Sequence, residues 1–228
     1  MSVHLMVRSA YTLLKSSLRV EDIVNEAVRQ GYDAVALSDY EVMHGAMAFY
    51  HACQKQGIKG IYGMEVHCVL SPGEQAVFVV LARNDEGFLQ LMKLSTRLQT
   101  QKEELTIEEL AAYAADCIVI TSGAEDVLYA LLVREDEAGL RRYLQQLQRT
   151  FTHLAVGITR NDSRFLAQRN QLLRKAADEM GIMRVALAII CYRSAADEEA
   201  YRVLCAIDQG LQVDDKTLKT ASGRWFRS

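Results

Sequence analysis

The residues best suited to chemistry lie in or just after predicted strands in the first third of the chain. His4 lies inside the first apolar run, Asp39 follows the second, and Glu65 lies within the third. In α/β sheets and barrels the carboxyl ends of the strands carry the chemistry, so these three side chains are predicted to converge on one mouth of the fold. The same pattern also fits carboxylates that are only ion-paired with a nearby Arg or Lys.

Other common catalytic motifs are missing from the sequence. There is no Gly-x-Ser-x-Gly elbow and no Ser-x-x-Lys pair, and the run of Gly57, Gly60 and Gly63 matches neither a P-loop nor a dinucleotide fingerprint. These glycines are interpreted as a helix C-cap, a turn and a strand kink. The five cysteines form no Cys-x-x-Cys pair and lie in apolar surroundings, which favours buried free thiols over a metal ribbon or a disulfide scaffold.

Composition narrows the class of protein further. The chain has 228 residues, half of them apolar, with a formal net charge of −3, so a stand-alone nucleic-acid binder is disfavoured and direct DNA binding is expected to be weak or absent. No run approaches the roughly 18 apolar residues of a membrane span, and no basic, apolar leader opens the chain. We therefore expect no membrane contact and a cytoplasmic location.

Short apolar runs alternate with amphipathic helical patterns, which predicts an α/β fold. Thr106 with Glu109, and Ser194 with Asp197, are predicted helix starts, and Gly210 a helix end. Near-continuous apolar strands favour a parallel sheet or barrel, and a closed or distorted barrel suits the length better than two halves. The predicted strands are Val3–Val7, Ala34–Leu37, Ile58–Leu70, Ala76–Ala82, Cys117–Thr121, Leu154–Ile158 and Val185–Ile190.

Four segments in the first third of the sequence carry a family resemblance. The run Val3–Leu14 resembles the opening of the polymerase-and-histidinol-phosphatase (PHP) domain, which usually reads His-Leu-His-Val-His-Ser-x-Tyr-Ser-Leu-Leu. Ala34–Tyr40 resembles the Ala-Leu-Ala-Leu-Thr-Asp-His of that family, and Gly45–Tyr50 and Gly57–Val66 keep its spacing. The resemblance implies a distorted (β/α)7 barrel of the PHP type.

Later segments resemble one version of the domain, at the N-terminus of the bacterial replicative DNA polymerase III alpha subunit. These are Leu81–Asn84 with Gly87–Ser95, Asp197–Ile207, and a final aromatic-Arg-Ser that ends at Ser228. On this resemblance residues 1–210 form the PHP barrel. Residues 211–228, polar in character, begin the connection to polymerase domains outside the sequence.

Departures from the family pattern fall on its metal ligands. Active PHP domains hold a cluster of divalent metals with His and carboxylate side chains, and of those ligands only His4, Asp39 and Glu65 remain. The substituted ligand positions are Met6, Arg8, Lys15, Tyr40, Val77 and Cys191.

Three ligands cannot build a multi-metal cluster, and an arginine cannot be deprotonated to become a ligand. We therefore predict that the domain holds no metal and has no catalytic residue, and that Arg8 replaces the missing metal charge by pairing with Asp39 or Glu65. A single-metal site on His4, Asp39, Glu65 and Cys191 stays open as an alternative.

The predicted function is that of the N-terminal PHP domain of a DNA-directed DNA polymerase, with a structural and docking role. The parent polymerase would extend DNA with Mg²⁺ held by carboxylates of a later domain, so this piece needs no cofactor. Its expected partners are the remaining polymerase domains and a proofreading exonuclease subunit, the latter on resemblance alone. The alternatives are a metal-dependent PHP phosphoesterase, a proofreading 3′–5′ exonuclease, or an interaction domain unrelated to replication.

Overall fold

The computed structural model describes residues 3–122, 126–159, 164–220 and 223–226, without the side chains of residues 164–169. The chain divides into two compact units, unit 1 (Met1–Met64 with Ala188–Ser228) and unit 2 (Glu65–Leu187). The described elements run in the order β1 (Met6–Val7), α1 (Val20–Arg29), β2 (Ala34–Tyr40), α2 (Ala46–Gln56), β3 (Lys59–Ser71), β4 (Glu74–Ala82), α3 (Asp85–Thr100), α4 (Ile107–Tyr113), β5 (Cys117–Thr121), α5 (Val127–Val133), α6 (Glu137–Thr150), β6 (Leu154–Thr159), α7 (Arg164–Glu179), β7 (Met183–Leu187), β8 (Ile189–Ile190) and α8 (Glu198–Gln209). The predicted α/β class is confirmed.

Unit 1 is built on two short parallel strands and on β2, which lies beside β3. Strand β1 pairs with β8 in the register Met6 to Ile189 and Val7 to Ile190. Helix α1 packs on this unit through the buried stripe Val20, Ile23, Val24 and Ala27, at i, i+3, i+4 and i+7, while Val28, at i+8, is 39% exposed. The buried apolar residues of α1, β2 and α2 form the core that holds the end of β2 in place.

Unit 2 contains a sheet with strand order β3–β4–β5–β6–β7. The two-residue turn Pro72-Gly73 joins β3 to its neighbour β4, which makes that pair antiparallel. Strand β4 is antiparallel to β5 as well, whereas β5, β6 and β7 are parallel. The parallel pairing that the sequence favours is thus found for β5, β6 and β7, while β4 departs from it, because a continuous apolar run indicates burial on both faces and not the direction of the neighbouring strand.

Two predicted strands have different limits in the structure. The first run contributes only Met6–Val7, and the last run divides at Ala188 into β7 in unit 2 and β8 in unit 1. The predicted capping box of Thr106 and Glu109 is present, and Gly57 and Gly210 end α2 and α8 at φ values of +68° and +65°. Arg227 and Ser228, the last residues of the family resemblance, lie outside the described residues.

All five cysteines are buried and unbridged, as predicted. Burial raises the pKa of Cys53 and Cys117 to about 11 each and that of Cys68 to about 12, so these thiols stay protonated at neutral pH. Across the described part of the chain, every helix is too short or too polar to span a membrane.

Candidate functional site

The candidate site is centred on the carboxylate of Asp39, the second-last residue of β2. Only 1% of this residue is exposed. Its Oδ1 accepts hydrogen bonds from the Ser9 backbone N–H at 2.6 Å and from the Thr12 hydroxyl at 2.8 Å. Its Oδ2 accepts one from the Ser9 hydroxyl at 2.8 Å. Three donors from one short loop therefore surround a carboxylate that the family resemblance assigned to a metal.

That loop, residues 9–17, joins β1 to α1 and will be called the Asp39 loop. Its far end is held by Ser16, whose hydroxyl lies 2.7 Å from the carbonyl oxygen of Arg8 and 2.8 Å from that of Cys191. The Ser17 N–H also donates to the Cys191 oxygen, at 3.0 Å. Leu14, at the tip, has a φ of +61°, which branched side chains rarely adopt, so these hydrogen bonds hold the loop in a strained turn.

The charge of Arg8 interacts favourably with this carboxylate. Its side chain is buried, with 8% exposed, and its N–H donates to the Ile190 carbonyl oxygen at 2.9 Å. Burial raises the pKa of Asp39, while hydrogen bonds from Ser9 and Thr12 and the charge of Arg8 act in the opposite direction. The charge of Arg8 therefore acts on Asp39 and favours its ionised form, and the replacement of a metal by Arg8 stays a prediction.

His4 contacts a different set of residues. Its ring packs edge-on against Tyr32 and Phe226, with centroid separations of 5.5 and 5.4 Å. The Tyr32 hydroxyl donates to Gln30 Oε1 at 2.7 Å and lies 3.2 Å from Nε2 of His4. The His4 ring is thus held by contacts within unit 1.

Glu65 belongs to unit 2, at the start of its share of β3. It is 2% exposed, and its Oε1 lies 3.6 Å from Nε2 of His67, a partly exposed histidine two residues along the same strand. Side chains at i and i+2 share one face of a strand, which places this pair together.

The substituted positions of unit 1 serve packing and ion pairing. Met6 is fully buried in β1, and Cys191 is buried next to β8. The Lys15 ammonium lies 5.4 Å from the centre of the Tyr40 ring and 3.8 Å from Asp208 Oδ2. These are the geometries of a cation–π contact and a partly exposed ion pair.

The donor chemistry of these positions does not fit a metal cluster. Guanidinium and ammonium groups have no lone pair to offer. Val77, in unit 2, is buried and has an apolar side chain, and its backbone N–H donates to Asp126 Oδ2 at 3.2 Å while its carbonyl oxygen accepts from the Ser122 N–H at 3.1 Å. Throughout the part of the chain that the structure describes, no three His, Cys, Asp or Glu side chains are grouped so that they could hold a metal ion.

The hydroxyl groups around Asp39 were not anticipated from the sequence. Ser9, Thr12 and Ser16 fall between the first strand and the first helix, and Ser38 accepts a hydrogen bond from the Val7 N–H at 2.9 Å. Hydroxyl residues at such spacing after a strand are a common turn signal. In the sequence, the one indication of their hydrogen-bond acceptor was Asp39, a carboxylate predicted to follow the neighbouring strand.

Comparison with known proteins gives a consistent family match. The model of the PHP domain family matches residues 4–163. The DNA polymerase III subunit alpha of Bacillus subtilis is 34% identical over 220 residues, which cover 93% of this chain and 19% of that protein. That of Halalkalibacterium halodurans is 34% identical over 224 residues, with 94% and 19% covered. The chain therefore spans about a fifth of the length of these curated relatives.

A solved structure shares the fold. It is an amidohydrolase from Chromobacterium violaceum with bound sulfate and no metal, with a TM-score of 0.61 and 11% sequence identity. The likeness covers 84% of this chain and 88% of that one and confirms the predicted fold class.

The buried position of Asp39 predicts a pH dependence of stability. Because its folded-state pKa is raised, the unfolding free energy of the wild type relative to Asp39→Asn should be highest below the ordinary carboxyl pKa of about 4 and should fall as the pH rises through the folded pKa. Urea denaturation from pH 4 to pH 7 measures this difference.

Asp215→Asn serves as a control of opposite sign. Hydrogen bonds from Thr217 lower the pKa of this exposed carboxyl. The unfolding free energy of the wild type relative to Asp215→Asn should therefore increase as the pH rises. If the unfolding free energy of the wild type relative to Asp39→Asn increased with rising pH, the assignment of a raised pKa to Asp39 would be wrong.

Proposed function

Because the chain belongs to the PHP domain family, we propose that it is the structural PHP domain of a bacterial replicative DNA polymerase, in which an internal ion pair and hydrogen bonds have replaced the phosphoesterase metal site. The predicted family is confirmed by the match over residues 4–163. The two polymerase alpha subunits that align with nearly the whole chain support the replicative assignment.

On this proposal the DNA-extending chemistry belongs to polymerase domains outside residues 1–228. Those domains would use Mg²⁺ held by carboxylates, and this domain needs no cofactor of its own. Its role is to brace the polymerase and to present a docking surface. The net charge of −3 supports a domain that does not itself grip the DNA phosphates.

The arrangement around Asp39 is the observation that carries the loss of the metal site. Each oxygen of this carboxylate already accepts a hydrogen bond, and Arg8 supplies a permanent charge close by. A metal would have to displace Ser9 and Thr12 and to approach a buried guanidinium, which opposes it electrostatically. The hydrogen bonds and the charge of Arg8 thus stabilise the Asp39 carboxylate as a metal would, without supplying a Lewis acid.

An exposed apolar surface of unit 1 supports the docking role. Tyr11 and Leu13, in the Asp39 loop, are 49% and 77% exposed, and Met47 and Tyr50, on one face of α2, are 64% and 45% exposed. The Tyr11 ring lies against Gly45, directly before α2, so loop and helix meet here. We assign this surface, the Tyr11–Tyr50 patch, to a proofreading exonuclease subunit, since exposed aromatic and Met side chains are typical of interface centres.

Removal of the Arg8 charge tests the structural half of the proposal. Arg8→Ala should lower the unfolding free energy by about 2–3 kcal/mol, somewhat less than the roughly 3–5 kcal/mol lost when one member of a directly bonded buried pair is removed. Chemical denaturation at pH 7 gives the value.

The double variant Arg8→Ala with Asp39→Asn is the control for this effect. Because it removes both charges, its unfolding free energy should be higher than that of Arg8→Ala. The wild type, the two single variants and the double variant form a cycle that gives the coupling energy between the two side chains. Equal stability of the wild type and Arg8→Ala would contradict the proposed role of Arg8.

Binding to the cognate exonuclease subunit tests the docking half. The wild type should capture that subunit in a pull-down, and Leu13→Ser together with Met47→Ser should weaken the binding at least tenfold, because apolar anchors dominate such interfaces. Met183→Ser, which changes an equally exposed methionine of unit 2, should leave the binding unchanged. No capture of the exonuclease by the wild type would refute the partner assignment.

A further inference from the structure

The segment Gly223–Phe226, which we call the latch, is docked along the end of β8. The Arg224 carbonyl oxygen accepts hydrogen bonds from the N–H groups of Cys191 and Tyr192, at 2.8 and 3.3 Å. In return the Arg224 N–H donates to the Tyr192 hydroxyl at 3.2 Å, and its guanidinium donates to the Tyr201 hydroxyl at 3.2 Å. The latch thus extends the strand pairing of unit 1 by one more short segment.

Two aromatic side chains of the latch complete the docking. The Trp225 ring packs against Tyr192 with a centroid separation of 5.8 Å. Phe226 is 4% exposed, lies within the core of unit 1 and packs edge-on against His4. Phe226 thus adds a buried apolar anchor to the hydrogen bonds of the latch.

The residue that receives the latch is the one that anchors the Asp39 loop. Cys191 donates its N–H to the latch, while its carbonyl oxygen accepts from the Ser17 N–H and lies 2.8 Å from the Ser16 hydroxyl. The same hydroxyl reaches the Arg8 carbonyl oxygen, and Arg8 precedes Ser9, whose N–H donates to Asp39. A continuous series of hydrogen bonds therefore runs from Arg224 through Cys191 and Ser16 to Asp39.

We propose that the latch and the Asp39 loop are energetically coupled, so that release of Gly223–Phe226 loosens the loop and disorder of the loop releases the latch. The peptide group that follows Cys191 is shared by both segments, because its carbonyl oxygen accepts from Ser16 and Ser17 and its N–H, on Tyr192, donates to Arg224. Neither segment can shift Cys191 without a cost to the other. Such coupling is reciprocal by thermodynamic necessity. A partner or a chain segment that pulls on the latch would thereby change the order of the Asp39 site. The inference does not depend on the replicative assignment.

The chain itself provides the probe for the latch. Trp225 is the only tryptophan of the sequence, and it is partly buried, so its quenching by acrylamide reports release of the latch directly. Ser16→Ala alters only the loop. We expect it to raise the acrylamide quenching of Trp225 and to accelerate hydrogen exchange of the Cys191 and Tyr192 amides by at least about fivefold, the lower end of typical couplings between sites.

The reverse direction uses Tyr201→Phe, which removes a hydroxyl that accepts from Arg224 and leaves the loop intact. It should accelerate exchange of the Ser9 and Ser17 amides by a similar factor. Because this change is milder, it carries the test alone if Ser16→Ala does not fold.

Leu144→Ala is the matched control, since it opens a cavity in the core of unit 2 and lowers stability without altering unit 1. The proposal is overturned if Ser16→Ala shifts quenching and exchange no more than Leu144→Ala does. It is equally overturned if Tyr201→Phe leaves the Ser9 and Ser17 amides at the wild-type rate.

Discussion

The buried carboxylate of Asp39 sets the constraint on which the rest of unit 1 depends. A carboxylate that is 1% exposed loses most of its hydration, so it must be surrounded by donors, paired with a cation or protonated. The chain uses the first two solutions together. Ser9 and Thr12 fold back onto both oxygens, and Arg8 is held nearby by its backbone pairing with Ile190. To reach both oxygens, the Asp39 loop turns sharply at Leu14 and is held at its far end by the hydrogen bonds of Ser16.

The same constraint underlies the proposed replacement of a metal site by groups of the chain. Here Arg8 offers a charge that is part of the chain, which cannot dissociate and has no Lewis acidity. His4, which the family resemblance assigned to a metal, packs against Tyr32 and Phe226 in unit 1. The fold is thereby kept while the residues take on roles in stability and, as proposed, in docking.

Much of the fold could be predicted from the sequence because it depends on local patterns. Apolar runs located seven of the strands to within a few residues, Thr106 and Glu109 marked a helix start, and Gly210 marked a helix end. Strand direction could not be predicted, since β4 is buried on both faces and yet antiparallel to β5. The division of the last run at Ala188 also depends on tertiary contacts rather than on composition.

The candidate site was predictable in part of its membership and not in its contacts. Family spacing identified His4, Asp39 and Arg8, and the pairing of Arg8 with Asp39 stays a prediction. The direction in which the His4 ring points is decided by Tyr32 and Phe226, which are 28 and 222 residues away along the chain. The hydroxyl donors to Asp39 became evident only when the loop could be seen folded over β2.

The central claim is that internal groups have replaced the metal cluster, and metal content tests it most directly. The purified chain would be equilibrated with Mn²⁺ and Zn²⁺, freed of unbound ions by gel filtration, and measured by elemental analysis alongside its thermal midpoint. The account predicts well under one ion per chain and an unchanged midpoint, because a ligand that binds only the native state would raise it. Two or three tightly held ions per chain, together with a raised midpoint, would contradict it.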